Sequence, residues 1–121
     1  MTQRVCYASL AIYSKSNVLE EISGALQKQP VLTGDRAGKI SWIYSTRDEL
    51  RDGSIEDHLK SLKLQFNGVT QELTRFSKKG LDIRVWIYFG AKDVNQSFLL
   101  SEDFLTWISM FGADICVDVW N

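Results

Sequence analysis

Three stretches of the chain alternate between two kinds of position with a period of two. In Cys6–Ile12 the even positions Cys6, Ala8, Leu10 and Ile12 are apolar, while the odd positions read Val5, Tyr7, Ser9, Ala11 and Tyr13. In Ile83–Phe89 the odd positions Ile83, Val85, Ile87 and Phe89 are aliphatic or aromatic, and Asp82, Arg84, Trp86 and Tyr88 share the other side. Near the end, Ile115, Val117 and Val119 alternate with Cys116, Asp118 and Trp120. Successive side chains of a strand point to opposite sides of a sheet, so each stretch predicts a strand with one aliphatic face and one aromatic, partly charged face.

Between these strands the period changes. Asn17, with Glu20 three residues on, predicts the start of a helix over Val18–Gln27 that buries Leu19, Ile22 and Leu26 beside Ala25. Pro30 ends it, and residues 30–39 read as a loop. An aromatic strand follows at Lys39–Ser45, with Trp42 and Tyr44 and no clear core side. Ser54 and Asp57 form a capping-box pattern at the head of the longest element. Ile55, Leu59, Leu62, Phe66, Val69, Leu73 and Phe76 recur at intervals of four and three, which predicts one continuous helix from Ile55 to Lys78 across Asn67-Gly68. Lys78, Lys79 and Gly80 supply a basic last turn and a stop. Gly90–Gln96 reads as a turn and Ser97–Leu99 as a short strand. Ser101, Glu102 and Asp103 open a last helix with Phe104, Leu105, Ile108 and Phe111 as its stripe, Trp107 nearby and Gly112 as its stop.

The order is β-α-β-α-β-β-α-β in a single α+β domain over 1–121. It predicts a largely antiparallel sheet of about five strands with three helices mainly on one face, a ferredoxin-like arrangement being one variant. At 121 residues the chain can bury a sizeable core without a metal or disulfide staple. Its 45% hydrophobic and 24% charged residues are ordinary for a soluble globule. The two cysteines, Cys6 and Cys116, fall on opposite faces of their strands and read as free thiols in a reducing, cytoplasmic setting. No stretch approaches the length of a membrane span.

Tyr7-Ala8-Ser9-Leu10, Val18-Leu19-Glu20-Glu21-Ile22, Trp42, Glu56-Asp57-His58-Leu59 and Trp86-Ile87-Tyr88-Phe89 form one set of landmarks. Leu100 through Leu105, Gly112-Ala113-Asp114-Ile115 and Val117-Asp118-Val119-Trp120 form another. Together they resemble the bacterial domain-of-unknown-function family 4279 over nearly the whole chain. The resemblance implies a compact α/β domain. It brings no activity and no catalytic residue.

The chemistry-bearing residues are few. His58, the only histidine, sits among Glu56 and Asp57. A general acid/base or metal role is conceivable there, but zinc needs three or four ligands and a serine nucleophile needs a histidine set. The position reads instead as a solvated histidine at the helix entry. Gly34-Asp35-Arg36-Ala37-Gly38-Lys39 lacks the spacing, the Ser/Thr and the following helix of a phosphate loop. Asp48, Glu49, Asp52, Glu56 and Asp57, interrupted by Arg47 and Arg51, read as a solvated helix entry or as an acidic surface for a basic partner.

The aromatic sheet face is the best functional candidate. Tyr7, Arg84, Trp86, Tyr88, Asp118 and Trp120, with Tyr13, come together if the first, third and fifth strands of the chain are neighbours. A platform of rings can stack single-stranded bases, yet those platforms sit in basic surroundings and this chain has a net charge of −1. Aromatics with one arginine suit a protein interface better. The face could equally be covered by a helix of the same chain or by a second copy. The expectation is a small non-catalytic interaction module without metal or cofactor, for example an immunity-type protein neutralising a co-encoded toxin. Its partner is another protein or itself as a homodimer, with no membrane contact and little case for nucleic acid. The alternative is a binder of a small ligand or of single-stranded nucleic acid through the same face.

Overall fold

A computed structural model describes residues 6–50, 52–90 and 97–120, Trp120 by its backbone alone. In chain order the elements are β1 (Cys6–Ser14), α1 (Leu19–Leu26), β2 (Leu32–Arg36), β3 (Lys39–Ser45), α2 (Ile55–Phe66), a 3-10 turn (Asn67–Val69), α3 (Thr70–Lys78), β4 (Asp82–Gly90), α4 (Glu102–Met110) and β5 (Asp114–Trp120). The five strands form one sheet in the order β2-β3-β1-β4-β5.

The α+β class and the strand count agree with the sequence. The element order does not, and the sheet is mixed. β2 and β3 pair antiparallel, as do β3 and β1, and β1 and β4, but β4 and β5 run parallel. The reason is α4, which lies between them: a helix returns the chain to the end it left, so the next strand repeats the direction of the last. The same holds for α1 between β1 and β2, and for α2–α3 between β3 and β4. β1 to β2 moves one way across the sheet. β3 to β4 and β4 to β5 move the other way on strands of opposite direction. Such crossovers share one hand, so all three must lie on the same face.

That is where the core forms. Ala8, Leu10 and Ile12 of β1, Trp42 and Tyr44 of β3, and Ile83, Val85 and Ile87 of β4 meet Ile22 and Leu26 of α1, Leu59, Leu62 and Phe66 of α2, Leu73 and Phe76 of α3, and Phe104, Trp107, Ile108 and Phe111 of α4. The helix stripes predicted from spacing therefore face the sheet. In α4 the stripe is shifted: Trp107 is buried and Leu105 is 40% exposed. Trp42 resolves the core side of β3. It is fully buried and its indole Nε1 donates to Ser23 Oγ of α1 at 3.0 Å, so it covers nothing on the aromatic face.

Four further expectations change. Residues 32–36, within the expected loop, pair with β3 as an edge strand. The turn between them has positive φ at Ala37 (55°) and Gly38 (79°), the conformation that lets a two-residue connection follow the twist of a hairpin. The rejected phosphate loop is this hairpin. The single long helix is interrupted: Phe66 reaches φ −116° and Val69 φ −122°, with a 3-10 turn between. Asn and Gly are poor helix formers, and the break lets both halves keep the stripe in the core. Ser97–Leu99 forms no strand; Phe98 packs edge-on against Phe89, ring centres 5.8 Å apart. Finally, α1 begins at Leu19 without a side-chain cap, although Asn17 Oδ1 accepts from Leu19 N at 3.4 Å. The expected turn at Gly90–Gln96 falls mainly outside the described residues.

The capping box stands. Asp57 N donates to Ser54 Oγ at 3.2 Å and Ser54 N donates to Asp57 Oδ2 at 3.0 Å. Hydrogen bonding from the Ser54 backbone N–H, and then from its side chain, holds the Asp57 carboxyl below its ordinary pKa. Ser101 caps α4 by accepting from Phe104 N at 3.1 Å.

Candidate interaction face

The odd residues of β1 and the even residues of β4 and β5 point away from the helices. Pairing in register sets Tyr7 beside Tyr88, Ser9 beside Trp86 and Tyr13 beside Asp82. Cys116 lies beside Trp86, Asp118 beside Tyr88 and Trp120 beside Gly90. The adjacency on which the sequence grouping was conditional, of β1, β4 and β5, is present in the sheet. Tyr7, Arg84, Trp86, Tyr88 and Asp118 share one face with Tyr13. Trp120 falls in the same register, its side chain lying outside the described residues. Cys6 and Cys116 are not joined by a disulfide and belong to opposite faces.

Among the described residues no helix packs on this face, because every helix buries its apolar side in the core opposite. Its rings pack on one another instead. Tyr7 and Tyr88 are stacked with centres 4.4 Å apart and planes 17° apart, and Trp86 continues the row with its ring centre 6.0 Å from that of Tyr88. Trp86 Nε1 donates to Tyr13 Oη at 3.0 Å. Burial among these rings, with Tyr7 next, pushes the Tyr88 phenol up to about 12, so it stays protonated in neutral solution.

Charged groups surround the rings. The Arg47 guanidinium lies 5.5 Å from the centre of Tyr7, and Lys39 Nζ and the Arg84 guanidinium lie 5.0 Å and 5.5 Å from that of Tyr13. Arg84 also donates to Asp82, Nη2 to Oδ2 at 2.9 Å. Lys39 and Arg47 were not legible as part of the face. The alternation Lys39, Ser41, Ile43 carried a signal for the first once Trp42 was placed in the core. Arg47 lies beyond the strand and carried none.

His58 lies elsewhere and is not solvated. It is fully buried under the start of α2. Thr46, just past β3, ties it to β1: Thr46 N donates to Ala8 O at 3.0 Å, Ala8 N donates to Thr46 Oγ1 at 3.1 Å, and His58 Nδ1 lies 2.6 Å from Thr46 Oγ1. Among the described residues Nε2 has no hydrogen-bond partner, and a Cβ on Gly53 would lie 3.5 Å from it. Cys6 Sγ donates to Gly53 O at 3.2 Å. Burial outweighs the nearby Asp57 and Glu49 charges and holds the imidazole pKa below its ordinary value. The sequence did carry a signal here, since positions 55, 58, 59 and 62 share one helix face. Among the described residues no three His, Cys, Asp or Glu are grouped to hold a metal.

The acidic connector has structural work. Glu49 accepts from Tyr44 Oη and, at 3.1 Å, from Ser61 Oγ. Glu56 Oε1 accepts from Leu99 N at 2.9 Å, which lowers its pKa and ties the segment before α4 to α2. Beside that tie is a cleft floored by Leu59 and Phe104. Its Lys63 is already paired with Asp103.

A family model described as a domain of unknown function (DUF4279) matches residues 4–121. The chain belongs to this family. The match takes in every strand and helix of the described fold, so the open aromatic face lies wholly within the family domain. No curated protein and no solved structure matches the chain. Among the described residues no helix is long and apolar enough to cross a membrane.

Proposed function

We propose that this family member is a non-catalytic protein-interaction module that binds through the open face of its sheet, in concrete form an immunity-type protein neutralising a toxin encoded beside it. The observation that carries the reading is the row of Tyr7, Tyr88 and Trp86 rings on a face that no helix of the described residues covers, bordered by Arg47, Lys39 and Asp118. Aromatic and arginine side chains dominate the binding energy of protein interfaces because they bury large rigid areas at low entropic cost. The histidine lends no support to catalysis, since it is sealed in the core against Thr46. Stacking of bases is less well supported, because Tyr7 and Tyr88 already use one face of each ring on one another.

The test is co-expression with the product of the neighbouring toxin gene. The unaltered chain is expected to restore growth. Trp86→Asp, verified as folded by circular dichroism, is expected to lose that protection. Full protection by the folded variant would remove the face from the interaction.

A further inference from the structure

The open face carries a polarity that its ring stack alone does not explain. At the level of Tyr7, four side chains follow one another across the sheet. Arg47 lies over Tyr7 on the β3 side, Tyr7 stacks on Tyr88, and Asp118 lies beside Tyr88 on β5. The row reads cation, ring, ring, carboxylate, and both Arg47 and Asp118 are exposed. Further along the strands, Lys39 lies over Tyr13, again on the β3 side. Asp114 of β5 is exposed on the opposite side. The β3 edge of the face is thus basic and the β5 edge acidic, with aromatic rings and the Arg84–Asp82 pair between.

Such a face is complementary to itself. A two-fold axis parallel to the strands, running between β1 and β4 above the Tyr7–Tyr88 stack, lays the row of one copy over the reversed row of the other. Arg47 then meets Asp118 of the second copy, twice, and the ring stacks close against each other at the centre. An interface of this kind uses the same patch on both subunits. It also allows two sheets to pack with their strands roughly aligned.

We infer that this chain forms a two-fold symmetric dimer through the open sheet face, held by reciprocal Arg47–Asp118 pairs around the Tyr7, Tyr88 and Trp86 rings. The inference rests on the face being an interaction surface and names a second copy as its occupant. A toxin that binds the same face competes with the dimer, so concentration sets which form is present.

Sedimentation equilibrium of the full chain at moderate and high salt, with three charge variants, decides it. The unaltered chain is expected to dimerise, more weakly in high salt because the paired charges are screened. Arg47→Asp and Asp118→Arg each set like charges opposite one another and are expected to weaken the dimer at least ~10-fold. The double variant exchanges both signs, and restores it. Both positions are exposed, so folding is expected to survive; thermal melts check this. A chain that remains a monomer at about millimolar concentration overturns the dimer, as does a dimer indifferent to both single changes. If the dimer fails while Trp86→Asp still abolishes toxin protection, the face remains an interaction surface with a foreign occupant. If both fail, the face has neither role.

Discussion

The two sides of the sheet are built from the same strands yet obey different rules. On the helix side Leu10, Val85 and Ile87 are fully buried, and each helix contributes a stripe to the same cluster. On the other side Tyr7, Tyr13, Trp86 and Tyr88 are only half-buried, and they reach that state by packing laterally. The helix side is held by burial of aliphatic area, which is non-directional and large. The open side is held by ring stacking, an indole-to-phenol hydrogen bond and cation–ring contacts, each worth about 1 kcal/mol. A fold can therefore depend on one face for stability and leave the other available for recognition.

The sharpest way to break the contrast is truncation in the core. Phe66 is fully buried and meets both Trp42 and Tyr44 edge-on, at 6.3 Å and 5.1 Å between ring centres. Phe66→Ala is expected to cost about 3–5 kcal/mol, read as a fall in the urea midpoint. If it costs no more than a change on the open face, the division of labour is wrong. Acid gives the next effect. The folded-state pKa of His58 lies below its unfolded value, so its contribution is fully present above the ordinary histidine pKa and is lost as pH falls through it. The urea midpoint is expected to drop between about pH 7 and pH 5, before the lowered carboxyls of Glu56 and Asp57 titrate. His58→Gln is expected to flatten that drop, and an unchanged slope would show that the imidazole is accessible to protons at no cost. The smallest effect belongs to the open face. Tyr13→Phe removes the acceptor of Trp86 Nε1 and is expected to cost about 1 kcal/mol or less, because water can replace it.

Much of this contrast was legible in the residues. Period-two alternation separated Ile83, Val85 and Ile87 from Arg84, Trp86 and Tyr88, and the structure keeps both sets apart. Spacing by three and four found the helical stripes, because one face of a helix must be buried wherever the helix lies. Three features escaped. β2 is a five-residue edge strand whose every residue is exposed, so it has no core face to show as a pattern. The break at Asn67–Val69 keeps the stripe in phase, so periodicity could not register it. His58 reads as solvated because it stands at the helix opening off the stripe of Ile55, Leu59 and Leu62, yet it shares their helix face and is fully buried.

The sequence by itself determined which side chains share a strand face, that Ser54 and Ser101 cap α2 and α4, and that the aromatic residues form a set distinct from the aliphatic ones. These are local properties, set by the two-residue repeat of a strand, the 3.6-residue turn of a helix and the side chains beside each helix end. Only the tertiary structure decided that β4 and β5 run parallel, that His58 is sealed against Thr46, and that Arg47 and Asp118 stand at opposite ends of one row. Those facts depend on strand order and crossover handedness, which join residues far apart in the chain. The same handedness puts the helices of the described residues on one side, so that among those residues the aromatic face has no helical layer.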